Sequence, residues 1–237
     1  MRIATWNLEH AAGKAKNDLR LHRLHAMDCD IWLLTETHDD IDLGSSYAPL
    51  HTTERFPGGP GERWTALWSR YPILHTARVS DPSRTVAAVL STPRGPLLVF
   101  GTVLPWHTDP GPTGKALSWS EHHRVLPEQA KEWAALQREH GVPMCVAGDF
   151  NTSLGAKHYY GTKRGRQLLR AGLDSAGLIC VTETERIPSG LLRDPPIDHI
   201  ALSHELAATS GVSCAWEGTD TNGTRLSDHS GLAVDIR

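Results

Sequence analysis

The chain has 237 residues, 39% of them hydrophobic, and a formal net charge of −3 at pH 7. That is enough apolar material for a sizeable core in one large domain or two small ones, and it provides no global basic field to hold a long polyanion. No apolar run approaches the ~20 residues that a membrane-spanning helix needs, so no such helix is expected.

In chain order, Arg2 to Trp6 reads as a strand. Leu19, Leu21, Leu24 and Met27 mark a helix, followed by the strand Ile31 to Leu34. Trp64 to Trp68, Ile73 to Val79, Arg84 to Leu90 and Leu97 to Leu104 read as further strands. Pro127 is expected to begin a helix, because proline is tolerated in the first turn, and Gly141 to end it. Val142 to Ala147 is a strand, and Thr162 to Ala176 a helix with Leu168, Leu169 and Leu173 inward. Ile179 to Thr182, Ile197 to Leu202, Ala207 to Trp216 and Ser230 to Ile236 complete the strands. Long loops are expected at Ser45 to Arg63, Pro105 to Trp119, Thr152 to Thr162, Thr184 to Pro196 and Glu217 to Ser227. Loops of this length are often binding loops, and Gly58-Gly59-Pro60-Gly61 is the candidate mobile segment.

Cys29, Cys145, Cys180 and Cys214 are isolated, with no Cys-x-x-Cys pair. A zinc ribbon or thioredoxin site is therefore not expected, and Cys29 and Cys145 read as buried thiols. Trp6-Asn7 reads as part of the first core strand, so no removable leader is expected. A reducing cytoplasm fits these features.

The polar residues at the strand ends carry the chemistry. Asn7, Glu36, His107, Asp149 with Asn151, Asp198, and Asp228 with His229 each adjoin a short apolar run. Strand ends converge in layered folds, so residues distant in sequence can line one cleft. Carboxylates, amides and imidazoles at such places suggest metal-assisted cleavage of a phosphate ester. Gly111-Pro112-Thr113-Gly114-Lys115 lacks the spacing of a phosphate loop. His22 with His25, and His122 with His123, read as solvated faces. Lys157, Lys163, Arg164, Arg166 and Arg170 form the densest basic run, with the last two assigned to a solvated helix face. Trp106, Trp119, Tyr159, Tyr160 and Trp216 are candidates to stack on bases, or else pack internally.

The pieces Thr5-Trp6-Asn7, Leu34-Thr35-Glu36-Thr37, Gly148-Asp149-Phe150-Asn151, Ile197-Asp198-His199-Ile200 and Ser227-Asp228-His229 occur in the order and spacing of one family. With them the chain resembles the endonuclease/exonuclease/phosphatase superfamily, the deoxyribonuclease I-like fold. The resemblance implies an α/β fold of α+β type. Its form is a four-layer sandwich of two packed, mainly antiparallel β-sheets flanked by helices, in one domain over residues 1–237. It makes Glu36 the metal carboxylate, assisted by Asp228 and Asn7, with Glu9 a weaker candidate. Oxygen ligands without thiolate favour Mg²⁺ or Mn²⁺. Asp149 would activate the attacking water, and Asn151 would stabilise the developing phosphorane. Asn7, Asn151, His107 and His229 would contact phosphate. Asp198 would orient His229, and His107 would protonate the leaving group or clamp the phosphate; His199 reads as support.

The leading expectation is a divalent-metal-dependent phosphodiester hydrolase of nuclease type, acting on a phosphoester substrate with DNA and RNA among the candidates. The alternatives are a phosphomonoesterase or small-molecule or lipid phosphodiesterase on the same scaffold, and a non-catalytic binding module.

Overall fold

The computed structural model describes residues 1–55, 58–115 and 117–237. Its strands are β1 (Arg2–Asn7), β2 (Ile31–His38), β3 (Ala48–His51), β4 (Glu62–Ser69), β5 (Ile73–Thr76), β6 (Thr85–Thr92), β7 (Gly95–Val103), β8 (Met144–Asp149), β9 (Leu178–Cys180), β10 (Asp198–Ser203), β11 (Ser210–Trp216) and β12 (Gly231–Ile236). The helices are α1 (Lys14–Met27), α2 (Ser120–His140), α3 (Lys163–Ser175) and the single turn α4 (His204–Ala207). Two six-stranded sheets form, in the orders β11-β12-β1-β2-β4-β3 and β5-β6-β7-β8-β10-β9. Each contains one parallel pair, β1 with β2 and β7 with β8, and is otherwise antiparallel.

Period-two alternation sorts the side chains into layers. Ile3, Ile31, Leu33 and Leu67 of the first sheet meet Val86, Val99, Ala147 and Ile200 of the second in one buried cluster between the sheets. The alternate residues Ala4, Trp6, Trp32 and Leu34 join Leu24 of α1 on the outer face. On the other outside face, Phe100 and Val146 pack against Leu126 and Trp133 of α2 and Leu169 and Leu173 of α3. Strands covered on both faces are apolar without interruption, which is why β1, β2 and β8 read as continuous runs.

The short helix α4 is not expected from the sequence, and the strand read from Ala207 begins at Ser210. Two further elements depart from the sequence reading. Pro127 does not begin α2: the helix starts at Ser120, and the proline lies inside it. Its inward face includes His122, Leu126, Ala130 and Trp133, a three-to-four-residue spacing that burial enforces despite the proline. The expected loop from Ser45 to Arg63 contains β3, which pairs with β4. Gly58-Gly59-Pro60-Gly61 is tied to β2, with Asp39 N donating to Gly61 O at 2.9 Å. The stretches of the two loops at Phe56, Pro57 and Ala116 lie outside the described residues. All four cysteines are free, and Cys29, Cys145 and Cys180 are buried.

His122 is fully buried rather than solvated. Its Nδ1 donates to Pro105 O at 2.7 Å, and its Nε2 accepts from Thr152 Oγ1 at 3.2 Å. His199 is equally buried, with Nε2 donating to Thr152 O at 3.0 Å and Nδ1 accepting from Thr182 Oγ1 at 3.2 Å. Both rings therefore hold one proton and are satisfied as neutral imidazoles. Burial pushes each down to about 4 from an ordinary 6.5. Depressed values in the folded state mean that the unfolded chain takes up protons first. Stability from these rings is complete above about pH 6.5 and is lost as pH falls through about 4. The expected loss is on the order of 3 kcal/mol per ring. Urea unfolding at pH 7 and pH 4.5 measures it, and a His122→Gln, His199→Gln double variant should have a flatter pH dependence. An unchanged slope in that variant would refute the assignment.

Candidate active site

The strand ends bring six of the expected residues into one place. Asn7 ends β1 and Asp149 ends β8, each in a different sheet. The Asn7 amide spans the gap, donating to Glu36 Oε1 and to Asp149 Oδ2, both at 3.1 Å. Glu36 lies in β2 at φ 45°, a left-handed position that breaks the regular strand between Thr35 and Thr37. Asp198 begins β10 directly opposite Asp149, as register partner. His229 precedes β12, and its Nδ1 donates to Asp198 Oδ2 at 2.5 Å.

Local sequence explains these placements. Gly148 has φ 137°, and a Cβ there would lie 2.0 Å from Thr102 O, so only glycine lets β8 lie this close to β7 before Asp149. Asn151, at φ 47°, closes an Asx-type turn: its backbone N donates to Asp149 Oδ1 at 2.8 Å. Its amide donates to Asp149 Oδ2 at 3.0 Å and Leu104 O at 2.9 Å. Ser227 Oγ donates to Asn7 O at 2.6 Å and accepts from His229 N at 2.9 Å, which ties the Ser-Asp-His segment to β1.

Electrostatics divide the residues into two groups. Burial acts to raise the Glu36 carboxyl, but the hydrogen bond and charge of His10 and the Asn7 amide outweigh it and hold Glu36 below its ordinary value. Burial raises Asp149, with Asp198 and Glu36 adding to the rise and His229 opposing it. Burial also raises Asp198. For His229, burial favours the neutral ring, yet Asp198 and Asp149 prevail and push it well above 6.5. A buried imidazolium between two carboxylates is the consistent reading. Asp149, Asp198 and His229 offer ligand atoms within 4.8 Å of one another, a possible cation site. A protonated ring has no lone pair to give a metal, so this trio suits proton handling, and Glu36 is the better cation ligand. The Glu36 carboxylate is the kind of hard oxygen donor a divalent ion takes.

Other expected residues lie apart from this cluster. Asp228 is half exposed at the rim, with Oδ1 4.0 Å from His229 Nε2. Arg225 pairs with Glu9 at 2.5 Å and Asp228 at 3.7 Å, so the charge of both is already shared with a guanidinium. His107 is exposed, with its Nε2 2.9 Å from Ser118 Oγ. Trp216 is buried against Trp6 and Trp32, which removes it from base stacking. The residue that the sequence reading missed is His10, whose Nδ1 is 2.9 Å from Glu36 Oε2. Its only signal was a position three residues after Asn7, without a strand end of its own.

A cleft of about 320 Å³ adjoins the site, lined by Asn151, Tyr159, Tyr160, Asp198, Asp228 and His229 among others. A larger cavity of about 770 Å³, lined by Trp64, Arg84, Pro112 and Gln129 among others, includes none of Asp149, Asp198 and His229. Convergent titratable groups, not volume, mark the smaller cleft as the candidate site.

Comparison with known proteins identifies the fold and the family. A search of curated proteins gives no match. Among solved structures, the 3' phosphatase NExo from Neisseria, bound to product DNA hairpin, superposes with a TM-score of 0.73 at 17% identity, covering 100% of this chain and 99% of that one. The endonuclease domain of TRAS1, a telomere-specific non-LTR retrotransposon, gives 0.66 at 17% identity, with 100% and 97% covered. The mannosyl-6-phosphatase Bt3783 of Bacteroides thetaiotaomicron VPI-5482 gives 0.66 at 16%, with 100% and 99% covered. These likenesses establish the shared two-sheet fold. The model of the Endonuclease/Exonuclease/phosphatase family matches residues 4–229, from the first strand to the His of Ser-Asp-His, and the chain belongs to that family.

Proposed function

We propose that this protein is a divalent-metal-dependent phosphodiester hydrolase of nuclease type, folded as a single domain. The family is one of phosphoester hydrolases that includes nucleases and phosphatases. The observation that carries the reading is the Asn7 bridge from Glu36 to Asp149, with the Asp198–His229 pair beside it.

Glu36 would hold the cation, which offsets charge on the phosphoryl oxygens and the leaving oxygen. Asp149, whose basicity burial raises, is suited to accept the proton of an attacking water. Asn7 and Asn151 orient that carboxylate. Both amide protons of Asn151 are engaged in this arrangement, so stabilising a phosphorane would require it to release Leu104 O or Asp149. His229 carries its second proton at Nε2, beside the cleft, where it can meet the phosphate or leaving group. Among the described residues, no helix is long and apolar enough to cross a membrane. Free thiols fit the reducing cytoplasm proposed as its compartment.

Exposed Lys163, Arg164 and Tyr159 favour a nucleic-acid strand. The carboxylates of Asp194, Glu217 and Asp228 around the cleft favour the second reading, a small phosphoester with a neutral alcohol group. A panel of single-stranded, duplex and abasic DNA, RNA, sugar phosphates and phosphoinositides separates them. Hydrolysis is expected with Mg²⁺ or Mn²⁺ and should be abolished by chelation and not rescued by Ca²⁺ alone. Full turnover in excess chelator would exclude the metal-dependent mechanism.

A further inference from the structure

The larger cavity, of about 770 Å³, has no part in the chemistry proposed above. Two groups that line it hold unused donors. Arg84 Nη1 forms an ion pair with the buried Asp109, 2.7 Å from Oδ2. The guanidinium carbon lies 5.1 Å from the Trp64 ring centroid and 5.5 Å from that of Trp106, so two aromatic rings limit its movement. Its Nε and Nη2 meet no acceptor among the described residues, yet neither is sealed from solvent. Together they form the side-on edge of the guanidinium, a fork of two N–H donors. Gln129 is only 4% exposed, and its Oε1 accepts from Thr102 Oγ1 at 3.1 Å. Its Nε2 donates to none of the described residues, although an amide buried this far ordinarily has partners at both ends.

A fixed pair of donors matches a pair of acceptors on one flat edge. Phosphate and carboxylate have such an edge, but the cavity disfavours anions. Asp109 already neutralises Arg84, and the remaining charges on the walls are Asp81, Glu121 and Glu128 against Arg124. A neutral ligand avoids the like-charge cost. Guanine presents O6 and N7 side by side, the pair that arginine reads in nucleic acids. Its other edge carries the N1–H and N2–H₂ donors. Asp81 Oδ1 accepts from Ser83 N at 3.1 Å and from Ser83 Oγ, while Asp81 Oδ2 meets no donor among the described residues. That oxygen is left for the second edge of the base. Cytosine has a comparable acceptor pair but a single amino donor, and adenine has no adjacent acceptor pair.

We propose that this cavity binds a guanine base, with Arg84 on O6 and N7, Asp81 on N1 and N2, and the Gln129 amide as an added donor. Trp64 links it to the candidate active site: its ring centroid is 6.5 Å from that of His10, whose Nδ1 is 2.9 Å from Glu36 Oε2. The base comes from a strand cut at that site or from a free guanine nucleotide. The first source rests on the nuclease reading; the binding chemistry does not.

The test is titration calorimetry on the whole protein with guanosine, 7-deazaguanosine, adenosine and cytidine. Guanosine is expected to bind at least about tenfold more tightly than each of the others, because only it satisfies both the fork and the carboxylate. Arg84→Lys keeps a charge opposite Asp109 and removes the fork, and it should erase the preference, with circular dichroism as the folding control. The comparison with 7-deazaguanosine on wild-type protein stands even if that variant misfolds. Absence of guanosine binding at millimolar concentration, equal binding of 7-deazaguanosine or cytidine, or a preference that survives Arg84→Lys would each overturn the proposal. Single-stranded DNA with one guanine moved stepwise along it, incubated with Mg²⁺, separates the two sources. Cuts at a fixed distance from the guanine assign the base to the strand; cuts indifferent to it, with guanosine still bound, assign the site to a free nucleotide. Guanosine binding without cleavage of any nucleic acid would overturn the nuclease reading and leave this site standing.

Discussion

His229→Ala is expected to lower turnover by a factor of about 10² to 10⁴ with the fold intact, the scale of a positioned general acid or base. The ring is paired to Asp198 at 2.5 Å and held protonated by two buried carboxylates. Asp198→Asn should reproduce the loss, because the amide cannot support the imidazolium or fix its orientation. His107→Ala should cost much less, since that ring is exposed and bonded to Ser118. Turnover of the three purified variants on one substrate measures this, with circular dichroism as the folding control. Near-normal turnover of Asp198→Asn beside a dead His229→Ala would break the dyad assignment and leave the metal-dependent reading standing.

A second large effect is expected at Asp149. Asp149→Asn should lower the maximal rate by about 10² to 10⁴ at saturating metal, because it removes the group assigned to the attacking water. Glu36→Gln should instead shift the metal concentration for half-maximal rate upward, by about tenfold or more. The two carboxylates share the Asn7 amide, yet one is held below its ordinary value and the other is raised by burial. That difference separates a cation ligand from a base. Rate against Mg²⁺ concentration in both variants tests it. Complete rescue of Asp149→Asn by high metal would contradict the division.

Most strands were legible because burial on both faces writes them as apolar runs, as in Ile31 to Leu34. The site was legible because Asn7, Asp149 and Asp198 each stand at a strand end. What escaped the sequence had no such mark. β3 contains a proline and is short, so it reads as loop until β4 is there to pair with it. The start of α2 is hidden because Pro127 breaks the local rule, while the contacts that hold Leu126 and His122 inward are tertiary. His10 has no periodicity at all; its place beside Glu36 depends on three residues of left-handed backbone. The neutral state of His122 depends on Pro105 and Thr152, which become neighbours only on folding.

The order of strands in the two sheets has a consequence for a chain still being made. The second sheet is a continuous stretch, β5 to β10, whereas the first needs β1 to β4 and also β11 and β12. Asp149 and Asp198 are therefore paired across β8 and β10 within one continuous stretch of chain, and His229 lies outside it. Without that imidazolium, two buried carboxylates face each other and repel, and no proton donor stands beside them. The ring arrives only as β12 docks antiparallel on β1, Asp235 opposite Arg2. The candidate site is thus completed only when the last strand of the first sheet is in place.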